Sequence, residues 1–389
     1  MLVLTREIPQ SVNAGSQQLF RVFNDYPADR LLVVGPEVPA SAERLPCRYE
    51  TFVPRIDRWV NTRLHEWVNL ANAIGLVPDE SGRRIDQLVG DFRPDVVFTV
   101  MDLFSFYQTA WRYALRHKLP LVTLTMDDSM HFQKVARWAK PLQKKAVKRI
   151  YADAALSLGV SPQMAAWIGE EFGKPTETFY FGPPDGLRPR DTAANAKLRN
   201  PPNLTVGFAG SLHFYGRELS RLMPAFEKTG TRLHFYGAKT RDLPASPAVV
   251  DRGQWPIDKL WDTVQQECDA LILPYPGSGW LENVFRTHFP TKLSEYLWQG
   301  MPLLITGPAY ATGLRWGLAH PDACIAMVDP ELLEFIEALH DLLRPYRREK
   351  LGQAAVAIAT REFDPVAIRE RFLGLLGVAA SRQVSFASS

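Results

Sequence analysis

The sequence predicts an α/β protein of two domains, each a parallel β-sheet with helices on both faces. Short apolar runs alternate with helical patterns along the chain, the rhythm that builds parallel sheets. That rhythm breaks once, at a proline-rich stretch near the middle, and then restarts. The length, 389 residues, suffices for two domains of ordinary size.

In the first half the apolar runs Met1–Leu4, Leu31–Val34, Asp95–Val100, Pro120–Thr125, Ala154–Leu158 and Thr178–Phe181 are expected as strands. Ser16–Phe23, Phe106–Arg116 and Lys134–Tyr151 carry helical spacing between them. Residues Gly182–Asp191 and Ala193–Pro202 then hold five prolines and no apolar periodicity, the composition of a linker. The rhythm resumes with strand Leu204–Ala209, helix Gly216–Lys228, strand Arg232–Tyr236, helix Ile257–Glu267 and strand Ala270–Pro274. Strand Cys324–Val328 and helix Glu331–Leu343 follow further on, and a last amphipathic helix enters through Asp364-Pro365. The expected domains are 1–185 and 204–360, joined by a linker at 186–203, with 361–389 a helix and tail crossing back to the first domain. Both halves open with a strand, a Gly-bearing turn and a helix, so two similar nucleotide-fold domains are expected to face each other across a cleft. Ligands of such sheets bind at the carboxyl ends of the strands.

Hydrophobic content of 46% and charged content of 22% describe a globular chain with a real core. A net charge of +3 is too mild to imply nucleic acid. The three cysteines, Cys47, Cys268 and Cys324, have no metal-binding spacing and read as reduced thiols. Met1–Arg6 reads as a first strand and not as a signal peptide, and no apolar run reaches membrane-span length. A cytoplasmic protein is expected.

The most informative stretch is Phe289–Thr306. Pro290 is expected in the first turn of a short helix and Gly300 at its left-handed exit, ahead of a buried strand. Leu293, Tyr296 and Leu297 fall on one face as a core stripe. Thr291 and Glu295, four apart, share another. A helix N-terminus is a ready seat for phosphate, and a carboxylate one turn further in can accept hydrogen bonds from sugar hydroxyls. The pattern points to a nucleotide diphosphate sugar.

These residues resemble a block of the GT-B glycosyltransferases, particularly family four: a Phe-Pro, then a Lys, then Glu-Tyr, then Gly-x-Pro. The loop Val206–Arg217 resembles that family's donor-phosphate loop, with Gly210 followed by Ser211 where the family has Arg, and Arg217 at its second basic position. Val160–Met164 and Phe181–Asp185 resemble the exit from its first domain. The resemblance implies two Rossmann-like domains and a retaining, metal-independent transfer of sugar from a nucleotide donor, with no cofactor. Two departures stand out. The family's Glu-x7-Glu pair would place an acid at position 287, which is Thr287, and its first Gly-Gly loop is reduced to Asn13–Ser16.

On this reading Gly210, Ser211, His213, Pro290, Thr291 and Glu295 contact the donor, while Arg217 and Lys292 neutralise the departing diphosphate. Such clamps are each worth roughly 2.7–4 kcal/mol, by analogy with oxyanion donors; the plainer reading makes them surface cations. Tyr236, Gly237 and Trp255 are candidate walls for the base, with an ordinary turn an equal alternative, and Tyr275 begins a Gly-bearing loop over the donor sugar. In the first domain Gly15, Ser16 and Asp102 are candidate acceptor contacts. Asp127 or His131 is the candidate base should the reaction invert the anomeric centre.

Lys134–Arg149 carries seven Lys and Arg and no acid. It reads as a solvated face or as attachment to an anionic membrane, not as a nucleic-acid site. The acceptor expected is a saccharide or a lipid-linked sugar, in cell-surface polysaccharide or glycoconjugate synthesis. Two alternatives keep the same fold. One is a nucleotide-sugar epimerase; the other is a non-catalytic sugar- or partner-binding subunit, which Thr287 and Ser211 favour.

Overall fold

A computed structural model describes residues 1–381 apart from 60, 61, 63, 75, 77, 78, 80, 81, 129–136, 185, 186, 188–201, 213, 238–243, 278 and 280. The chain folds as two compact units. The first comprises Met1–Phe181, Thr287–Phe289 and the segment from Pro365; the second comprises Gly182–Arg286 and Pro290–Asp364. No helix among the described residues is long and apolar enough to cross a membrane.

In unit 1, β1 (Leu2–Leu4), α1 (Ala14–Phe23), β2 (Leu32–Gly35), β3 (Arg48–Thr51), α2 (His65–Ala73), α3 (Arg83–Val89), β4 (Val97–Val100) and α4 (Phe104–His117) are followed by β5 (Leu121–Thr125), α5 (Lys140–Asp153), β6 (Leu156–Gly159), α6 (Pro162–Phe172) and β7 (Glu177–Thr178). All seven strands are parallel, in the order β3-β2-β1-β4-β5-β6-β7. The order reverses between β1 and β4, where Leu2 pairs with both Leu32 and Val97. This is the doubly wound arrangement whose ligands sit outside the strand ends at the reversal. The central strands are buried on both faces, which is why they read as unbroken apolar runs.

Unit 2 repeats the plan with β8 (Thr205–Ala209), α7 (Gly216–Thr229), β9 (Arg232–Tyr236), β10 (Val249–Gly253), α8 (Ile257–Glu267), β11 (Ala270–Pro274), α9 (Glu282–Thr287), α10 (Thr291–Trp298), β12 (Leu303–Gly307), α11 (Thr312–Ala319), β13 (Cys324–Val328), α12 (Leu332–Leu342) and α13 (Pro345–Glu362). Thr287, the last residue of α9, groups with unit 1. Its six-stranded parallel sheet runs β10-β9-β8-β11-β12-β13, reversing between β8 and β11. The final helix, α14 (Pro365–Ser381), packs in unit 1: Phe372 meets Phe23 and Phe98 at ring separations of 5.3 and 5.9 Å.

The structure departs from the sequence expectation at several elements. β3 and β10 are edge strands with no fully buried residue, so no apolar run marks them. The expected strand at Thr178–Phe181 is a two-residue strand one position earlier. The expected helix from Lys134 lies partly outside the described residues; within them a single 3-10 turn, Arg137–Ala139, leads into α5. Pro290 stands one residue before α10, extended at φ −72°, ψ 120°, and not inside its first turn.

Candidate functional site

In unit 2 the helix α10 is fixed by its apolar stripe. Leu293, Tyr296 and Leu297 are fully buried, and each side chain of that size stabilises by roughly 1.5–3 kcal/mol when buried. Gly300 ends the turn at φ 62°. Tyr296 does more than pack: its hydroxyl accepts from the Ala209 N–H (2.8 Å) and donates to the Ala209 carbonyl (3.0 Å). One side chain thus ties α10 to the carboxyl end of β8.

Gly210 follows directly, with φ 125° and its N–H on the Tyr236 carbonyl at 2.8 Å. A Cβ at Gly210 would overlap Cε of Lys292, whose side chain crosses the glycine. The backbone conformation and the overlap both require glycine here. The Lys292 ammonium lies 5.3 Å from the ring centroid of Tyr215, at cation–π distance. Burial lowers the Lys292 pKa, and the charge of Glu295 works the other way. Thr291, Lys292 and Glu295 are half-buried, and Pro290 is buried. The first amides of a helix have no partner within it; the Leu293 N–H turns back to the Pro290 carbonyl at 3.0 Å, and the amides of Thr291 and Lys292 with this ammonium form a cationic tip at the sheet's reversal point. Glu295 stands one turn below.

Ser211 and Arg217 are exposed, Arg217 being the second residue of α7. Gly237 donates to the Gly253 carbonyl at 2.9 Å, and Trp255 to the Arg252 carbonyl at 2.9 Å. The structure therefore brings Gly210, Gly237, Lys292 and Glu295 to the sheet end, with Tyr296 as the tie that sequence reasoning placed only in the core. Tyr236 and Tyr275 are different. The Tyr236 ring is buried and its hydroxyl donates to Glu267 at 2.7 Å, while the Tyr275 ring is enclosed near Tyr215 and Phe285. Both side chains are committed to packing. His213 lies outside the described residues.

In unit 1 the candidates gather at the ends of β1, β4 and β5. Ser16, in the first turn of α1, donates to Glu7 Oε2 at 3.0 Å, and a Cβ on Gly15 would stand 3.2 Å from the same oxygen. The α1 N-terminus, a natural anion seat, therefore holds the protein's own carboxylate. Asp102 accepts from the Leu103 N–H at 2.7 Å. Burial, aided by the Glu7 charge, pushes its pKa up to about 7. Beyond β5, Asp127 Oδ1 lies 2.8 Å from Nδ1 of His288. Burial raises the Asp127 pKa, but the His288 charge and hydrogen bond outweigh it and hold the carboxyl below its ordinary range. His288 is placed by its neighbours: Ser161, which caps α6 at the Met164 N–H, also donates to the Thr287 carbonyl at 2.7 Å, and Phe289 meets Tyr180 at 4.7 Å. His131 lies outside the described residues. Glu7 and His288 are the two members of this cluster that sequence reasoning missed. Glu7 could have been found as the acidic residue in the loop that follows the first strand; no local signal marks His288.

No family model matches the sequence, and no curated protein matches it. Solved structures do match by shape. HepE of Anabaena in complex with UDP shares 16% identity at a TM-score of 0.67, over 97% of this chain and 99% of that one. Sucrose-phosphate synthase from Thermosynechococcus elongatus shares 13% at 0.67, over 97% and 98%. A glycosyltransferase from Rickettsia africae shares 12% at 0.63, over 98% and 99%. The chain has the GT-B fold: two Rossmann-like units with wholly parallel sheets.

Proposed function

We propose that the chain is a glycosyltransferase that moves a sugar from a nucleotide diphosphate sugar to a saccharide or lipid-linked acceptor. One observation carries the reading: Lys292 lies across Gly210 at the reversal point of the second sheet, with the α10 amides beside it and Glu295 one turn below. A pyrophosphate needs fixed cationic and N–H donors that require no reorganisation as charge develops on it. Lys292 and those amides supply them, and exposed Arg217 adds a further cation at the start of α7. Glu295 would grip the ribose. HepE has been solved with UDP and with UDP-glucose, which supports a uridine donor. Unit 1 would take the acceptor, since its corresponding helix terminus already holds Glu7. The reading is metal-independent, cations and helix amides taking the charge of the leaving group.

The family resemblance implies retention of configuration. The Asp127–His288 pair supports a second course, inversion. There the Asp127 carboxylate would accept a hydrogen bond from the Nδ1–H, fixing the tautomer that leaves the Nε2 lone pair free as the base. An acceptor hydroxyl would give its proton to Nε2 while its oxygen bonds to the anomeric carbon. The bond from that carbon to the diphosphate breaks, and its electron pair leaves with the diphosphate.

A thermal-shift screen against UDP, GDP, dTDP, ADP and CMP tests the donor site, because a ligand of the native state raises the melting temperature. A uridine nucleotide should give the largest shift. No shift with any of them contradicts the reading.

A further inference from the structure

Unit 1 holds a cavity of about 520 Å³ walled by α2, α4, α5 and Asp79; none of the candidate donor, acceptor or catalytic residues lines it, but Leu142, Lys145, Ala146 and Arg149 of the basic stretch Lys134–Arg149 do. Arg112 and Arg116 of α4 and Lys145 and Arg149 of α5 supply four cations to the wall. Asp79 is its one described acidic residue, 2.5 Å from Arg116 and 4.0 Å from Arg112. The lining thus keeps an excess of three positive charges. Lys145 and Arg149 are exposed, one helical turn apart, and neither is in an ion pair among the described residues. Cations gathered this way around a concavity repel one another, and an anion relieves that cost.

The rest of the lining is apolar and points to what the anion is attached to. Leu115 stands with Ile74 and Leu142, which are 46% and 42% exposed. Around these lie Leu76, Trp67 and Trp138, exposed by 74%, 64% and 60%; the two indoles are 5.9 Å apart. Trp67 lies on α2 with Ile74 and Leu76 just beyond its end, Leu142 lies on α5 with Trp138 in the 3-10 turn before it, and buried Leu70 and Ala139 pack together between the two. Exposed tryptophans and aliphatics beside a row of cations match the chemistry of a bilayer interface, apolar within and anionic at its surface. A nucleic acid would use the flat indoles and leave the aliphatic residues without a counterpart.

We propose that this face docks unit 1 on an anionic bilayer. The cavity takes the phosphate of a phospholipid headgroup, and the tryptophans with Ile74, Leu76 and Leu142 enter the interface. The proposal does not depend on the sugar-transfer reading.

The test is flotation of the full chain with vesicles of phosphatidylcholine alone and with phosphatidylglycerol added. The wild type should float only with the mixed vesicles. Lys145→Ala with Arg149→Ala should weaken that binding about thirtyfold, the effect of two cations at an anionic surface. Trp67→Ala with Trp138→Ala should also weaken it, whereas Lys228→Ala with Lys350→Ala, which removes equal charge from unit 2, should not. All six side chains are exposed, and near-ultraviolet circular dichroism checks that each variant is folded. Equal binding to both vesicles, an equal loss in the unit 2 pair, or glycerol phosphate binding without flotation would overturn the proposal.

Discussion

The side chain of Lys292 crosses the α-carbon of Gly210, so closely that no other residue could stand at that strand end without moving it. The two are 82 positions apart in sequence, yet Tyr296 holds both in place, its hydroxyl accepting from the Ala209 N–H and donating to the Ala209 carbonyl. A cation fixed above a glycine, beside helix amides, is how backbone and charge together approach a phosphate.

Gly210→Ala tests this relationship. The Cβ must displace Lys292, and a left-handed φ costs a non-glycine residue about 1–3 kcal/mol. The variant should melt several degrees lower and lose most of its response to UDP. A variant that melts lower but keeps its full UDP shift would separate the glycine from the donor.

Glu295→Ala should remove most of the nucleotide-induced shift while barely moving the melting temperature without ligand, since the carboxylate is half-buried. Lys292→Ala should slow transfer roughly a hundredfold to a thousandfold, the cost of losing one fixed transition-state donor. Thermal shift with and without UDP reads the first, and steady-state kinetics with a radiolabelled donor reads the second. An unchanged rate in Lys292→Ala would assign the lysine to packing alone.

Asp102 gives a pH signature. Its folded pKa, about 7, lies above the ordinary 3.8, so the native state holds this proton more tightly than the unfolded chain. Its contribution to stability is therefore full below about pH 4 and is lost as pH rises through about 7. Asp102→Asn, which cannot ionise, should match the wild type in acid and exceed it above neutrality by a few kcal/mol. Urea melts across that range measure the crossover; parallel curves would contradict it.

Asp127 carries the opposite sign. With His288 holding its folded pKa down, the stability it adds is present above the ordinary carboxylate value and lost as pH falls through the lower folded one. The effect is small, because the side chain is 48% exposed. Activity separates the two courses of reaction. On the inverting course His288→Gln and Asp127→Asn both lose the acidic limb of the pH–rate profile, where protonation of the base stops the reaction, and product spectra show the opposite anomer. Retained configuration with near-normal rates in both variants assigns the pair to structure.

Much of this fold could be read from the sequence because its strands are buried on both faces and so spell themselves as apolar runs. Leu204–Ala209 and Ala270–Pro274 are clear cases, since nothing but the interior of a sheet asks for such a string. Arg48–Thr51 was illegible for the converse reason: at a sheet edge its polar residues carry no period. The α10 block was legible through its stripe and exit glycine, and Lys292 with it. The contact of His288 with Asp127 spans 161 positions and runs through Thr287–Phe289, three residues that group with unit 1 while their neighbours group with unit 2. No local pattern encodes such an excursion. Tyr296 shows a subtler limit, for its ring obeys the helical stripe while its hydroxyl makes the tie that matters.

The most direct measurement is a crystal structure of the chain grown with UDP. The account predicts the pyrophosphate within hydrogen-bond distance of Lys292 Nζ and the amides at Thr291, with the ribose hydroxyls on Glu295. UDP bound elsewhere, with Lys292 still lying across Gly210 and Glu295 untouched, would contradict it.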